Sequence, residues 1–264
     1  MSHEDILVAR RDATVEITIN RPEKLNSLRE QTAAEILEVL AEAEFDRKVR
    51  AVVLAGSEKA FCTGIDTSEF QIKENEYFEF YRFRKRARKV NRLFQDVSAF
   101  TKPVIVAVEG FALGGGLELA LTADIVVAGA KAKFGLPECK LGLMPGGGGT
   151  QTLPRLIGPQ LAKDLIWTGR RIDAAEAERL RLVTYVTEAG AALAKAHEVA
   201  AAVAANAPLS VMFSKAAIDR GADMPLAEGF ATEADLSFFL YFSRDRTEGL
   251  TAFREKRAPN FQGE

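Results

Sequence analysis

Val104-Ile105-Val106-Ala107-Val108 leads to Gly114-Gly115-Gly116, then to Leu117-Glu118-Leu119-Ala120-Leu121-Thr122-Ala123, and then to Ile125-Val126-Val127-Ala128. The first and last runs are short and wholly apolar, the pattern of a strand buried on both faces. The glycines make a turn and 117–123 reads as a short helix. Strand, turn, helix and strand in this order call for parallel pairing and an α/β class. Working outward, Ala51-Val52-Val53-Leu54-Ala55 is another buried run, and Val15-Glu16-Ile17-Thr18-Ile19 alternates as a half-buried strand does. Between them, Pro22 breaks sheet pairing, and Ala33, Ile36, Leu37 and Leu40 recur near helical spacing within 30–44. From about Ala191 the chain is alanine-rich and helical in pattern, with Pro208 and Pro225 near helix starts. The expected division is an α/β core over 1–195 and a helical region over 196–264.

The 264 residues, 47% of them hydrophobic, suffice for a full core. A formal net charge of -2 gives no global reason for a nucleic-acid or membrane partner. Cys62 and Cys139 have no paired spacing, so neither a disulfide framework nor a zinc cluster is expected, as in a reducing compartment. Met1-Ser2-His3-Glu4-Asp5 carries no secretory pattern. The apolar stretch 104–132 is interrupted by Glu109, Glu118 and Asp124, so it cannot span a bilayer. A cytoplasmic location is the expectation.

Three consecutive glycines are conformationally costly for a simple turn. Placed before a helix, they let a ligand approach free N–H groups at the positive end of the dipole, where a negative oxygen is well held. A plain turn and an oxyanion site fit the spacing equally. Neither Gly114-Gly115-Gly116 nor Pro145-Gly146-Gly147-Gly148-Gly149-Thr150 has the spacing of a P-loop or a dinucleotide fingerprint. Glu118 has apolar neighbours, and burial would raise its pKa toward the range of acid–base work. Glu138, in Phe134-Gly135-Leu136-Pro137-Glu138, is unremarkable by itself. Cys62-Thr63-Gly64-Ile65-Asp66 comes after the strand at 51–55, and Gly64 can turn the Ile65 N–H outward.

These motifs, with Asn20-Arg21-Pro22, Glu109-Gly110-Phe111-Ala112-Leu113, Ala123-Asp124-Ile125, Leu141-Gly142-Leu143-Met144 and Phe253-Arg254-Glu255-Lys256-Arg257, resemble the crotonase (enoyl-CoA hydratase/isomerase) superfamily over nearly the whole chain. The resemblance implies a spiral of repeated ββα units with a C-terminal helical trimerisation region. It implies self-association as a homotrimer or a dimer of trimers, and an acyl-CoA thioester substrate with no separate cofactor and no metal. Backbone N–H groups at Ile65 and Gly115 would hold the thioester oxygen, and Glu118 and Glu138 match the two catalytic carboxylates of the hydratases. Gly64, Asp66, Thr67, Ser68 and Gly114 would line the thioester. Leu25, Asn26 and Leu28 would border the CoA adenine, and Phe253 and Lys256 would reach a neighbouring subunit's CoA phosphates. Ser68 stands where a lysine is common, and Ile65 is bulky for its place.

The implied reaction is hydration of a 2-enoyl-CoA to the 3-hydroxyacyl-CoA. Glu118 would take the water's proton and Glu138 would protonate C2. An enoyl-CoA isomerase is the alternative within the family.

Arg82, Arg84, Lys85, Arg86, Arg88, Lys89 and Arg92 cluster without an acid among them. Apolar Phe83, Ala87, Val90 and Phe94 keep helical spacing, so a solvated helix face explains the charges. The other reading is an anion patch for CoA phosphates or RNA, and RNA binding would depend steeply on salt. The aromatics Tyr77, Phe78, Phe80 and Tyr81 could shape an acyl pocket. His3 and His197 are not placed for nucleophilic hydrolysis.

Overall fold

The computed structural model describes residues 3–68 and 77–264, with the side chains at 77–80, 82, 83 and 86 outside the description. The expectations for Tyr77, Phe78 and Phe80, and for the Arg82 and Arg86 side chains, therefore lie outside the described residues.

The chain opens with an antiparallel hairpin, β1 (Ile6–Arg11) and β2 (Thr14–Ile19), then α1 (Glu30–Phe45). Three ββα units come next. The first is β3 (Ala51–Ala55), β4 (Ala60–Cys62) and α2 (Tyr77–Ser98). The second is β5 (Val104–Val108), β6 (Phe111–Leu113) and α3 (Gly115–Ala120). The third is β7 (Ile125–Gly129), β8 (Lys133–Gly135) and α4 (Gly149–Ile157). Then come α5 (Pro159–Thr168), β9 (Ile172–Asp173), α6 (Ala174–Arg179) and β10 (Tyr185–Thr187). The four last helices are α7 (Ala192–Ala204), α8 (Pro208–Gly221), α9 (Leu226–Leu240) and α10 (Arg244–Glu255).

Each unit places its first strand in one sheet and its second in another. The larger sheet has the order β1-β2-β3-β5-β7-β10, and the smaller β4-β6-β8-β9. Strands β3, β5 and β7 are parallel neighbours, and so are β4, β6 and β8. The chain thus advances as a spiral, one strand of each sheet per turn. The runs read as strands at 51–55, 104–108 and 125–128 are the central strands of the larger sheet. They are apolar throughout because each face is covered. One face packs on the main core, with Ile36, Leu40, Leu93 and Leu117. The other meets α7 through Ala192, Ala196 and Ala200.

The alanine at every fourth position of α7 has a packing reason. A methyl side chain lets the helix lie close against Val53, Ile105 and Val127. The boundary drawn between 195 and 196 falls inside α7, which rests on the core sheet along its length. The chain leaves that sheet after Ala204. Beyond it, α8 and α9 bury no residue, and Ile218, Leu226, Phe230, Phe238, Phe239 and Phe242 are exposed. Among the described residues, no single helix is long and apolar enough to cross a membrane.

Candidate active site

The register of the small sheet decides where the chemistry sits. Ala112 lies opposite Cys62 on one side and Phe134 on the other, so β4, β6 and β8 end side by side. The turns leaving these strands are therefore stacked: Gly64-Ile65 after β4, Gly114-Gly115 after β6, and Leu136-Pro137-Glu138 after β8. The Gly114 N–H donates to the Gly135 carbonyl at 2.9 Å, tying the second turn to the third. A β-carbon at Gly64 would stand 3.1 Å from the Gly115 nitrogen, so the first turn lies against the second.

Gly114 (φ 53, ψ -130) occupies a region that side-chain-bearing residues avoid. This bend carries β6 into α3 and aims the first amides of the helix away from the sheet. Among the described residues, neither the Ile65 N–H nor the Gly115 N–H donates to a protein acceptor. Leu28 donates to the Gly64 carbonyl at 2.7 Å and accepts from the Asp66 N–H at 2.8 Å. The Ile65 N–H between them therefore faces away from Leu28.

Glu118, on α3, is buried at 3% exposure. Its Oε1 accepts from the N–H groups of Gly147 and Gly149, each at 2.8 Å. The glycines at the N-terminus of α4 thus serve the carboxylate rather than a substrate. Burial pushes the Glu118 pKa up, and the backbone N–H groups of 146–149 offset only part of that rise. Glu138 is different. Its Oε1 lies 3.2 Å from where a β-carbon on Gly114 would stand. Its Oε2 is buried and, among the described residues, is the one buried side-chain oxygen without a hydrogen-bond partner. Burial and the nearby Glu118 charge push its pKa up to about 7. One carboxylate is pinned by two donors, and the other is poised to be protonated near neutrality.

The remaining expected residues divide. Gly64 and Gly114 are in the site, while Thr67 and Ser68 are exposed at its rim, as is Leu25. Leu28 and Asn26 are buried; the Asn26 amide donates to the Ala60 carbonyl at 2.8 Å and accepts from the Arg21 N–H at 2.9 Å. Asp66 is buried too, its carboxylate held by Arg21 at 2.9 Å and by the Ser68 hydroxyl at 2.6 Å. These three side chains face the protein, so they shape the loop rather than offer polar atoms to a ligand. Phe253 and Lys256 stand at the exposed end of α10, and among the described residues neither is hydrogen-bonded to a residue of the site.

Of the basic residues on α2, Lys89 pairs with Glu30 and Arg92 with Asp96. His197 is hydrogen-bonded to Glu16 at 2.7 Å. Sequence reasoning gave no role to Arg21, nor to Gly147 and Gly149 as the donors that hold Glu118. The Arg-Pro pair beside Asn26 was the available signal for the first, and the glycine run ahead of a helix for the second.

The family model for enoyl-CoA hydratase/isomerase matches residues 9–264. The chain is 41% identical over 258 residues to the short-chain-enoyl-CoA hydratase of Clostridium acetobutylicum, covering 97% of each chain. To the crotonyl-CoA hydratase of Syntrophomonas wolfei it is 38% identical over 262 residues, covering 99% of each. The fold is similar to the crystal structure of an enoyl-CoA hydratase from Bacillus anthracis, with a TM-score of 0.93, 39% identity, and coverage of 99% of this chain and 100% of that one. With the spiral of ββα units and nearly the full length matched, the chain belongs to the enoyl-CoA hydratase/isomerase family, within the crotonase superfamily.

Proposed function

We propose that this protein is an enoyl-CoA hydratase, adding water reversibly across C2=C3 of a 2-enoyl-CoA to give the 3-hydroxyacyl-CoA. The observation that carries the reading is the unlike pair of carboxyl groups: Glu118 pinned by two N–H donors, and Glu138 with a buried Oε2 that has no partner among the described residues, its other oxygen against the Gly114 turn that leads to the Gly115 amide. The thioester oxygen gains negative charge as the oxygen of water adds to C3. The Ile65 and Gly115 N–H groups are oriented to receive it before the reaction starts, which is where such donors have their largest effect. Glu118 takes the water's proton and Glu138 gives its own to C2. The reverse reaction uses the same groups in opposite states, with ionised Glu138 removing the C2 proton. The CoA moiety is part of the substrate, and these steps call on no further cofactor or metal.

The test is mixing with crotonyl-CoA, a probe suggested by the names of the two relatives. Hydration removes the conjugated-enoyl absorbance. An isomerase would leave it unchanged, and would raise it when given a 3-enoyl-CoA. The pH dependence adds a sign. Hydration starts with the proton on Glu138 and dehydration with it on Glu118, so each direction needs one proton on the pair, and both rates should fall together as pH rises through about 7. Stability depends on the same proton. With a folded pKa above its unfolded value near 4.5, Glu138 contributes stability present below that value and lost as pH rises through about 7. A hydration rate that climbs through pH 7 would remove Glu138 as the acid.

The exposed apolar side chains of α8 and α9 support self-association as a homotrimer or a dimer of trimers. Such an assembly would let Phe253 and Lys256 meet a neighbouring copy's CoA. Sedimentation of the full chain at micromolar concentration should give a multiple of three, and a lone monomer would oppose the proposal.

A further inference from the structure

We infer that Arg21 and Asp66 act together as a positioning clamp that sets the direction of the Ile65 N–H, and so tune thioester polarisation without touching substrate. This rests on the proposed role of Ile65 as an oxyanion donor. The guanidinium of Arg21 is buried, with 9% side-chain exposure. One of its nitrogens donates to the Ser27 carbonyl at 2.5 Å, and another to Asp66 Oδ2 at 2.9 Å. These acceptors belong to the two segments joined by the Leu28–Ile65 bridge, and each immediately adjoins a bridge residue: Ser27 precedes Leu28, and Asp66 succeeds Ile65. A single rigid group therefore spans both segments.

The far ends are fixed as well. Asp66 Oδ1 accepts from the Ser68 N–H at 3.1 Å and hydroxyl at 2.6 Å, which closes the loop after Ile65. On the other side, the Arg21 N–H and carbonyl hold the turn through Asn26, whose amide reaches the Ala60 carbonyl on β4 at 2.8 Å. Arg21 Nε also lies 3.6 Å from Asp5 Oδ1, and Asp5 is anchored by Arg29 and by Thr32 of α1. The clamp thus refers the Ile65 peptide to the main core rather than to the loop alone.

Two hydrogen bonds to Leu28 leave the Ile65 peptide free to tilt about the line joining them. Ties at Ser27 and Asp66 remove that freedom. A buried ion pair is commonly about neutral for stability compared with apolar residues of similar volume. Holding direction is the property that a pair of apolar side chains would not reproduce, because directional bonding is what they lack.

The experiment compares wild-type enzyme with Arg21→Lys, which keeps the charge but replaces the rigid planar fork, with its two separate donor nitrogens, by one nitrogen on a flexible stem. A second variant combines Arg21→Met with Asp66→Leu, replacing the pair by apolar bulk should the lysine variant fold poorly. Each is assayed for kcat and KM on crotonyl-CoA per folded site. The absorption band of a bound dimethylaminocinnamoyl-CoA, which moves to the red when its carbonyl is polarised, is recorded alongside.

The expected result is a kcat lowered about tenfold to a hundredfold, a KM changed by less than about threefold, and a smaller red shift. A merely structural pair would lower the melting temperature and leave the band where it is. A full red shift with wild-type kcat in a folded variant would overturn the clamp alone. No red shift in the wild-type enzyme would overturn the oxyanion reading and the clamp with it.

Discussion

Glu138→Gln should lower kcat for hydration by about 10²- to 10⁴-fold, and Glu118→Gln by a similar factor, each with thioester binding largely intact. The change is nearly isosteric, so what it removes is proton chemistry. At position 118 the amide oxygen can still accept from Gly147 and Gly149, and the side chain stays in place. It can no longer take a proton from water. At position 138 the amide retains polarity beside Gly114 but has no acidic proton to give to C2. The two losses should combine to far less than their product if both residues serve the one proton-transfer sequence proposed above.

A saturated acyl-CoA, which binds without reacting, isolates binding from chemistry by calorimetry. Turnover is monitored through the enoyl absorbance. Near-normal kcat in either variant would take that residue out of the mechanism. Loss of binding in parallel with kcat would instead make the pair a recognition device.

Gly116→Ala should be among the most damaging small changes to the fold. Its β-carbon would stand 2.0 Å from the Cys62 carbonyl oxygen and 2.6 Å from the carbonyl carbon. Both are backbone atoms of β4, so no side chain can swing aside. Relief requires α3 to move off β4, and that motion also separates Gly115 from Ile65. The cost should exceed the ~1–3 kcal/mol usual for an overpacked core, with activity falling together with folded yield. Urea unfolding measures it. Gly221→Ala is the control, since nothing lies within 4 Å of its added methyl. An unchanged urea midpoint for Gly116→Ala would show that α3 and β4 are not in the close contact described.

How far each element could be read depended on how local its cause was. The strands at 51–55, 104–108 and 125–128 declared themselves, because a strand covered on both faces must be apolar at every position. The three-residue strands β4, β6 and β8 did not. Residues such as Ala60-Phe61-Cys62 are too few for a period to appear, and their pairing is with residues far along the chain. The alanines of α7 looked like the start of an appendage. They are the contact surface of a helix laid on the sheet, and only its neighbours reveal why they are small. Asp66, Asn26 and Leu28 lie within the motifs that carry the resemblance, yet they face inward to partners whose identity no spacing announces.

The sequence by itself determined the α/β class, the helical C-terminal region, the family, and which carboxylates and glycines to watch. Each of these rests on residue type and local order, which a linear chain displays. Tertiary structure alone decided that the ends of β4, β6 and β8 lie abreast, that the Gly147 and Gly149 amides are taken up by Glu118, and that Glu138 keeps an oxygen with no partner among the described residues. Those outcomes depend on the register of strands and on who shares a buried space. Burial and pairing are properties of atoms brought together from distant parts of the chain, so no single stretch of it carries them.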